Sequence, residues 1–473
     1  MDLYLLVRAE GEEQTLTVEG HRLRLTGPYA TGAEDNIPPY ACVSYVWLSG
    51  RLHNPLLPQH LMSDRTLPAL GAVIRSVPSS ISAFWVDAFC IPYQQPARSA
   101  TLESMGYIYS AADRVVAALG SEHHDALMEM TRQDWVAEDL LAPFESDGWI
   151  SSVWTYQEIV NARRHFVTCT ALGTPTINGE TFLNRIGDSL QHYKNQRQAT
   201  SFDVRRSLPH LDAFEDLGGD YMTYSAFERP MLQIMFMLDR RVALEERNKY
   251  YTMIGALTAE QTGRNAVAGH GLPALRQKVM DVCVKKGDWS FLYSSTERDQ
   301  AVPWMPSSQY ELRSILPYFV HGSGQSGRVD DEGRVWLEEV AVVKNALAGE
   351  QKFDVDAVKN SVVSGPLLRG DSPTATSMDE LKALVRDRLT WAGFTGIGRA
   401  ITIPLSLFYP QAPAPDDTER DLVVCTELKW TFGCPALLVG RAERMTFIPG
   451  VLVGALEGDS DAREYMLGSL RLA

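Results

Sequence analysis

The hydrophobic positions of this chain fall into short blocks, and what separates the blocks changes along its length. Near the start, Leu3–Val7, Thr15–Val18 and Arg22–Leu25 alternate or run apolar around turn residues, which predicts short strands. YACVSYVW (Tyr40–Trp47) is an apolar run of strand length. FWVDAFCI (Phe84–Ile91) is a second, stopped by Pro92, and RVVAALG (Arg114–Gly120) a third, closed by glycine. Between them LPALGAVIRSV (Leu67–Val77) has helical spacing and ends before Pro78, and Leu102–Tyr109 reads as another helix. Strands that are apolar throughout and alternate with helices predict a parallel sheet covered on both faces, an α/β unit.

Trp149–Arg163 carries the clearest helical pattern. Trp149, Ile150, Val153, Trp154, Ile159 and Ala162 recur at helical steps, and Asp147 or Ser151 can cap the start. From about Thr181 to Leu257 the pattern is mainly helical, strongest in FERPMLQIMFMLDRR and ERNKYYTMIGAL. A Gly-rich gap (Gly263–Gly271) and one more helix (Leu275–Lys285) lead into a strand-rich remainder. Its strands are RVWLEEVAVV, AITIPLSLFY, DLVVCTEL, PALLVG and MTFIPGVLVGAL. GPLLRGDSPTATSMDE (Gly365–Glu380) and PQAPAPDDTER (Pro410–Arg420) read as exposed loops or linkers. The pattern divides the chain into an α/β domain over 1–165, a helical region over 166–274 and a strand-rich domain over 275–473.

At 473 residues the chain exceeds one ordinary core, so two or three packed units are expected. Hydrophobic residues at 45% and charged residues at 22% are the profile of a folded globular protein. The net charge of −15 disfavours nucleic acid or an anionic membrane as the main partner, although a local basic pocket can still hold a small anion. The six cysteines (Cys42, Cys90, Cys169, Cys283, Cys425, Cys434) are scattered, with no C-x-x-C pair. Neither a metal site nor a disulfide framework is signalled. The opening MDLYLLVRAEGEEQ lacks the basic stretch of a secretory signal, and no segment approaches the roughly 18 apolar residues of a membrane helix. A reducing compartment follows as the expectation, the cytoplasm foremost.

Four segments, in order, resemble the fungal heterokaryon-incompatibility (HET) domain family. SYVW (Ser44–Trp47) matches its opening strand, WVDAFCI (Trp85–Ile91) is similar to its WVDALCI signature, and MGYIYSAADRVVAALG (Met105–Gly120) follows its M-x-x-IY-x-x-A run. VWTYQEIVNAR (Val153–Arg163) resembles its closing VWTLQE helix. Further on, DRRVALEERNKYYTMIGAL, VPWMPS (Val302–Ser307) and the tail from Asp421 to Gly458 resemble the family more loosely. Two departures stand out. Leu48 and Ser49 intervene before Gly50, where the family has glycine directly after SYVW. Pro92-Tyr93 replace its acid after CI, and the glutamate usual nearby is missing from Ala97–Ala100, so no role for that pair carries over.

The resemblance implies a fold similar to Toll/interleukin-receptor (TIR) domains, a flavodoxin-like α/β layout, some of which cleave NAD. In those enzymes a W-x-x-x-E helix carries the catalytic glutamate, and Trp154 to Glu158 has that spacing. Residues four apart share a helix face, so Trp154 can form a site wall while Glu158 points into it. Nicotinamide leaves NAD as a neutral molecule, so one carboxylate that holds a ribose hydroxyl and stabilises the oxocarbenium-like transition state suffices. An open α/β sheet places its ligand crevice at the carboxyl ends of its strands, where Tyr45, Trp47 and Asp87 are expected as substrate-binding residues. Each residue also has a structural reading: Glu158 as a helix-face carboxylate paired with Arg114 or a later arginine, Trp154 as core, Asp87 as a helix cap, and Tyr45 and Trp47 as packing at the sheet edge.

Other candidates carry less. Cys90 has no histidine nearby in sequence, and buried thiols are inert. His123-His124, in an acidic loop, read as solvated surface. GSGQSG (Gly322–Gly327) matches G-x-G-x-x-G, but RVDDEGRVWLEEV after it reads as turn and strand where a dinucleotide fold needs a helix.

The implied function is an effector of fungal non-self recognition and cell death, with NAD as substrate, no cofactor, and self-association or another incompatibility protein as partner. A non-catalytic self-associating adaptor, or an enzyme of specialised metabolism acting on another small molecule, are the alternatives. The strand-rich part is expected to support or regulate the first domain without contributing a catalytic group.

Overall fold

The computed structural model describes residues 1–9, 11, 14–30, 36–47, 50–199, 201–262, 271–294, 297–347, 355–363, 377–396, 398–414, 419–440, 446–456 and 464–469. They form two compact units, Met1–Glu228 with Arg240–Gly271, and Arg229–Asp239 with Leu272–Ala473. Among the described residues no helix is long and apolar enough to cross a membrane.

The first unit is built on an eight-stranded sheet. Its strands are β1 (Asp2–Arg8), β2 (Leu16–Val18), β3 (His21–Ala30) and β4 (Tyr40–Ser44). A separate hairpin, β5 (Arg51–His53) with β6 (Leu61–Ser63), precedes β7 (Ala83–Trp85), β8 (Arg114–Leu119), β9 (His165–Cys169) and β10 (Ile177–Asn178). The order across the sheet is β10-β9-β8-β4-β7-β1-β3-β2. Its centre is parallel: Cys42 of β4 sits opposite Trp85 of β7 on one side and Val115 of β8 on the other, and β9 extends β8 in parallel. The three apolar runs that predicted neighbouring parallel strands are these neighbours.

The sheet as a whole is mixed, which corrects the expectation of an all-parallel one. β1 runs antiparallel to both β7 and β3, β2 pairs antiparallel with β3, and β10 closes the other edge antiparallel to β9. Connection length sets the direction of the two edge pairs, β2–β3 and β9–β10. A parallel neighbour needs a crossover of a dozen or more residues, and the turn between β2 and β3 is too short for one. β9 (HFVTC) was not singled out from the sequence, because a five-residue strand without a flanking Gly or Pro gives little pattern against the helical stretches around it.

The helices explain how the site residues are held. α1 (Thr66–Ser76) packs on β4, β8 and β9, and α2 (Asp87–Cys90) and α3 (Ala97–Glu103) lie against β1. The helix expected over Leu102–Tyr109 is broken at Ser104 into α3 and α4 (Met105–Ala111). α4 approaches the helix Glu246–Leu257 so closely that a Cβ on Gly106 would collide with the carbonyl oxygen of Gly255. After α5 (His124–Met130) and α6 (Glu138–Glu145) comes a second broken helix. The single helix expected over Trp149–Arg163 is α7 (Gly148–Ser151) and α8 (Val153–Val160), separated at Ser152, whose ψ of 142° is extended.

Each half has its own cap. Asp147 accepts from the Trp149 backbone N–H at 2.6 Å, and Ser152, rather than Ser151, accepts from Trp154 N–H at 3.2 Å. The break is held by the returning segment: Val153 N–H donates to Val242 O, Val242 N–H to Ser151 O, and the buried Arg241 guanidinium to Ile150 O at 2.9 Å.

The second unit holds a six-stranded antiparallel sheet in the order Val340–Val343, Arg420–Cys425, Cys434–Gly440, Thr446–Gly454, Ser406–Pro410, Ile401–Ile403. A three-stranded sheet joins Gly327–Val329, Arg334–Glu338 and Glu464–Ser469. The GSGQSG run ends one strand at Gly322 and starts another at Gly327, with no helix after it. Two helices there, Val355–Val363 and Met378–Trp391, depart from the strand-rich expectation. The second starts where a loop was read, because Ser377 and Glu380 form a reciprocal capping box. Most of the loop expected over Gly365–Glu380, the gap at Gly263–Gly271 and the middle of Pro410–Arg420 lie outside the described residues.

Candidate functional site

The parallel register brings the carboxyl ends of β4, β7, β8 and β9 to one edge of the sheet, and the polar side chains gather there. Ser44 is the last residue of β4 and is buried. Its hydroxyl donates to Oε2 of Glu158 on α8, and it accepts from the Trp149 ring N–H at 2.7 Å. Tyr109 of α4 donates its hydroxyl to the other Glu158 oxygen at 3.1 Å. Glu158 is only 7% exposed, and removal from water pushes its pKa up to about 7. The hydrogen bonds from Ser44 and Tyr109 oppose that rise, and the negative charge of Asp87 adds to it. Glu158 thus changes charge near neutrality. It is a satisfied buried carboxylate, and Arg114, the partner considered for it, pairs instead with Asp113 at 2.8 Å.

A second carboxylate lies beside this one. Asp87 opens α2 immediately after β7. Its Oδ1 accepts from the Tyr45 hydroxyl and from the Ala88 N–H, both at 2.6 Å, and its Oδ2 from the Trp47 ring N–H at 2.6 Å. Tyr45 also bonds the Thr66 hydroxyl at 3.0 Å, which ties the chain leaving β4 to the start of α1. Burial raises the pKa of Asp87, and the bonds from Tyr45 and Trp47 hold it back. Three sequence candidates, Tyr45, Trp47 and Asp87, therefore form one hydrogen-bonded group. Trp154 packs half-buried against the hydrophobic core and, among the described residues, joins neither group. Burial pushes the Cys90 thiol up to about 12, which leaves it protonated and unreactive.

Beside Tyr45 and Trp149 lies a cavity of about 90 Å³. Tyr45, Arg65, Glu122, Asp147 and Trp149 are among the residues that line it. Asp147 is oriented from behind by His123, whose Nε2 stands 2.7 Å from Oδ2. His123 is fully buried and stacked on Phe144, with ring centroids 4.5 Å apart. This overturns the reading of His123-His124 as solvated surface. The chain turns at the carboxyl end of β8, so His123 meets Phe144 of α6, while His124 is half-buried and bonds the Thr174 hydroxyl at 2.8 Å.

Ser44, Tyr109, Asp147 and Trp149 were missed as site residues. Ser44 and Tyr109 stand inside segments already noted for their motifs, but nothing in a linear pattern shows that two hydroxyls far apart in sequence meet one carboxylate.

The model of the family "Heterokaryon incompatibility protein (HET)" matches residues 40–146. This stretch is a HET domain. No curated protein and no solved structure matches the chain. The HET domain match runs from β4 into the turn after α6, so it includes Ser44, Tyr45, Trp47, Asp87, Tyr109 and His123. Asp147, Trp149, Trp154 and Glu158 lie just beyond it, yet Glu158 and Trp149 are hydrogen-bonded to Ser44 within it.

Proposed function

We propose that this HET-domain protein is an effector of incompatibility-type cell death that hydrolyses NAD at the nicotinamide–ribose bond, with Glu158 as the carboxylate that holds the ribose. Water adds to the ribose carbon as its bond to the nicotinamide nitrogen breaks. Neutral nicotinamide and ADP-ribose leave, and the proton of the water passes to solvent. The observation that carries the reading is the environment of Glu158: a carboxylate at the carboxyl edge of a parallel sheet, with both oxygens bonded to hydroxyl groups and a pKa of about 7. A ribose hydroxyl is the same kind of donor as Ser44 and Tyr109 and takes the place of one of them. Tyr45, Trp47, Asp87 and Trp154 are the residues proposed to wall the substrate.

The same saturation favours a second reading, a non-catalytic adaptor in which Glu158 only fastens α8 to β4 and the domain works by self-association. Incubating the purified full chain with NAD and separating the products by chromatography decides between them. The first reading expects nicotinamide and ADP-ribose in equal amounts from the wild type and none from Glu158→Gln. Absence of product from a protein that self-associates on sizing favours the adaptor.

A further inference from the structure

We propose that Glu122, His123 and Asp147 form a binding site for a divalent transition-metal ion at the wall of the 90 Å³ cavity, independently of the NAD reading. One donor atom from each residue lies within 4.8 Å of the others. Metal–ligand bonds of about 2.0–2.2 Å place adjacent ligands of a tetrahedral or octahedral ion roughly 2.9–3.5 Å apart. His123 Nε2 and Asp147 Oδ2, at 2.7 Å, have to separate by only a few tenths of an ångström to share an ion. Both are already aimed. The Trp149 N–H fixes the other Asp147 oxygen at 2.6 Å, and the Phe144 stack fixes the imidazole.

The imidazole is sheltered from water. His123 is fully buried, and its Nδ1 has no hydrogen-bond partner among the described residues. An ion bound at Nε2 moves the ring proton to Nδ1 and takes over the contact that Nε2 now makes with Asp147. Glu122 supplies the third ligand from the exposed side, where it pairs with Arg65 at 3.2 Å. That pair is exposed and weak, so Glu122 is free to exchange it for an ion. The cavity has room for water, to complete the coordination shell or to be displaced by a ligand oxygen. One imidazole and two carboxylates suit Zn²⁺ or Mn²⁺ better than Mg²⁺, which prefers an all-oxygen shell.

The test is calorimetric titration of the chelator-treated full chain with zinc chloride or manganese chloride, alongside Glu122→Gln and Asp147→Asn. Asn caps a helix as well as Asp does, so the second variant keeps α7 in place. The wild type is expected to bind one ion per chain with a rise in Tm, and each variant to bind at least about tenfold more weakly. A wild type that binds no ion at one-to-one stoichiometry, or either variant binding as tightly as the wild type, overturns the site. Should the metal-free Asp147→Asn melt far below the wild type, the exposed Glu122→Gln decides alone.

Discussion

The hydroxyl of Ser44, at the end of β4, donates to the carboxylate of Glu158 on α8, 114 residues further along the chain. Because the Trp149 ring N–H donates to the same hydroxyl, Ser44 links a strand to both halves of the broken α7–α8 helix.

Ser44→Ala should therefore destabilise the protein by about 1 kcal/mol, since it removes the hydroxyl that joins a buried indole N–H to a buried carboxylate oxygen. It should also raise the pKa of Glu158 above about 7, because the lost bond favoured the charged form. Urea unfolding measures the first effect. A variant as stable as the wild type would show that the link carries no strain or burial cost.

Glu158 makes stability depend on pH in a defined direction. Its folded pKa of about 7 lies above the ordinary 4.5, so between those values the folded state holds a proton that the unfolded chain has released. Stability from this group is full below pH 4.5 and is lost as pH rises through 7, on the order of 3 kcal/mol in all. His165 tilts the opposite way: burial lowers its pKa to about 3, so it costs stability as pH falls below 6.5. The difference between wild type and Glu158→Gln isolates the carboxylate. Glu158→Gln should gain stability relative to the wild type from pH 5 to pH 8, and equal curves would contradict the burial assigned to Glu158.

The central strands were legible because a strand buried on both faces is written as an unbroken apolar run, and the Tyr40, Phe84 and Arg114 segments are such runs. The edges were less so. β9 is too short for periodicity to separate it from nearby helices, and the antiparallel placement of β1 depends on pairing, which no local pattern encodes. At the site, Asp87 and Glu158 could be named from motif residues. The contacts that set their chemistry, Ser44, Tyr109 and Trp149, join positions far apart in sequence. The break in the helix from Trp149 was hidden because its apolar spacing continues through Ser152, while Arg241 and Val242, supplied from elsewhere in the chain, hold it open. His123 looked exposed from its polar neighbours and is buried by Phe144.

A chain ending at Thr262 should aggregate. It keeps the helix Met231–Asp239, whose residues Met231–Leu238 are all buried, but loses the partners of that helix in the second unit. Those partners include Asp288, which bonds Met231 N–H at 2.5 Å, Ser290, which bonds Leu232 N–H at 3.0 Å, and Phe319 beside Phe236. Apolar side chains of that helix then lose their cover, which drives association. Sizing chromatography of the truncated chain should show high-mass species, and a sharp monomer peak would contradict this.

The most direct test of the proposed activity is the rate of nicotinamide release from NAD by the full chain between pH 5 and pH 9. The ionised form of Glu158 does the work, so the rate should climb as pH passes through about 7 and level off above it, with Glu158→Gln inactive throughout. Release that persists in Glu158→Gln, or no release at any pH from folded and assembled protein, would contradict the assignment.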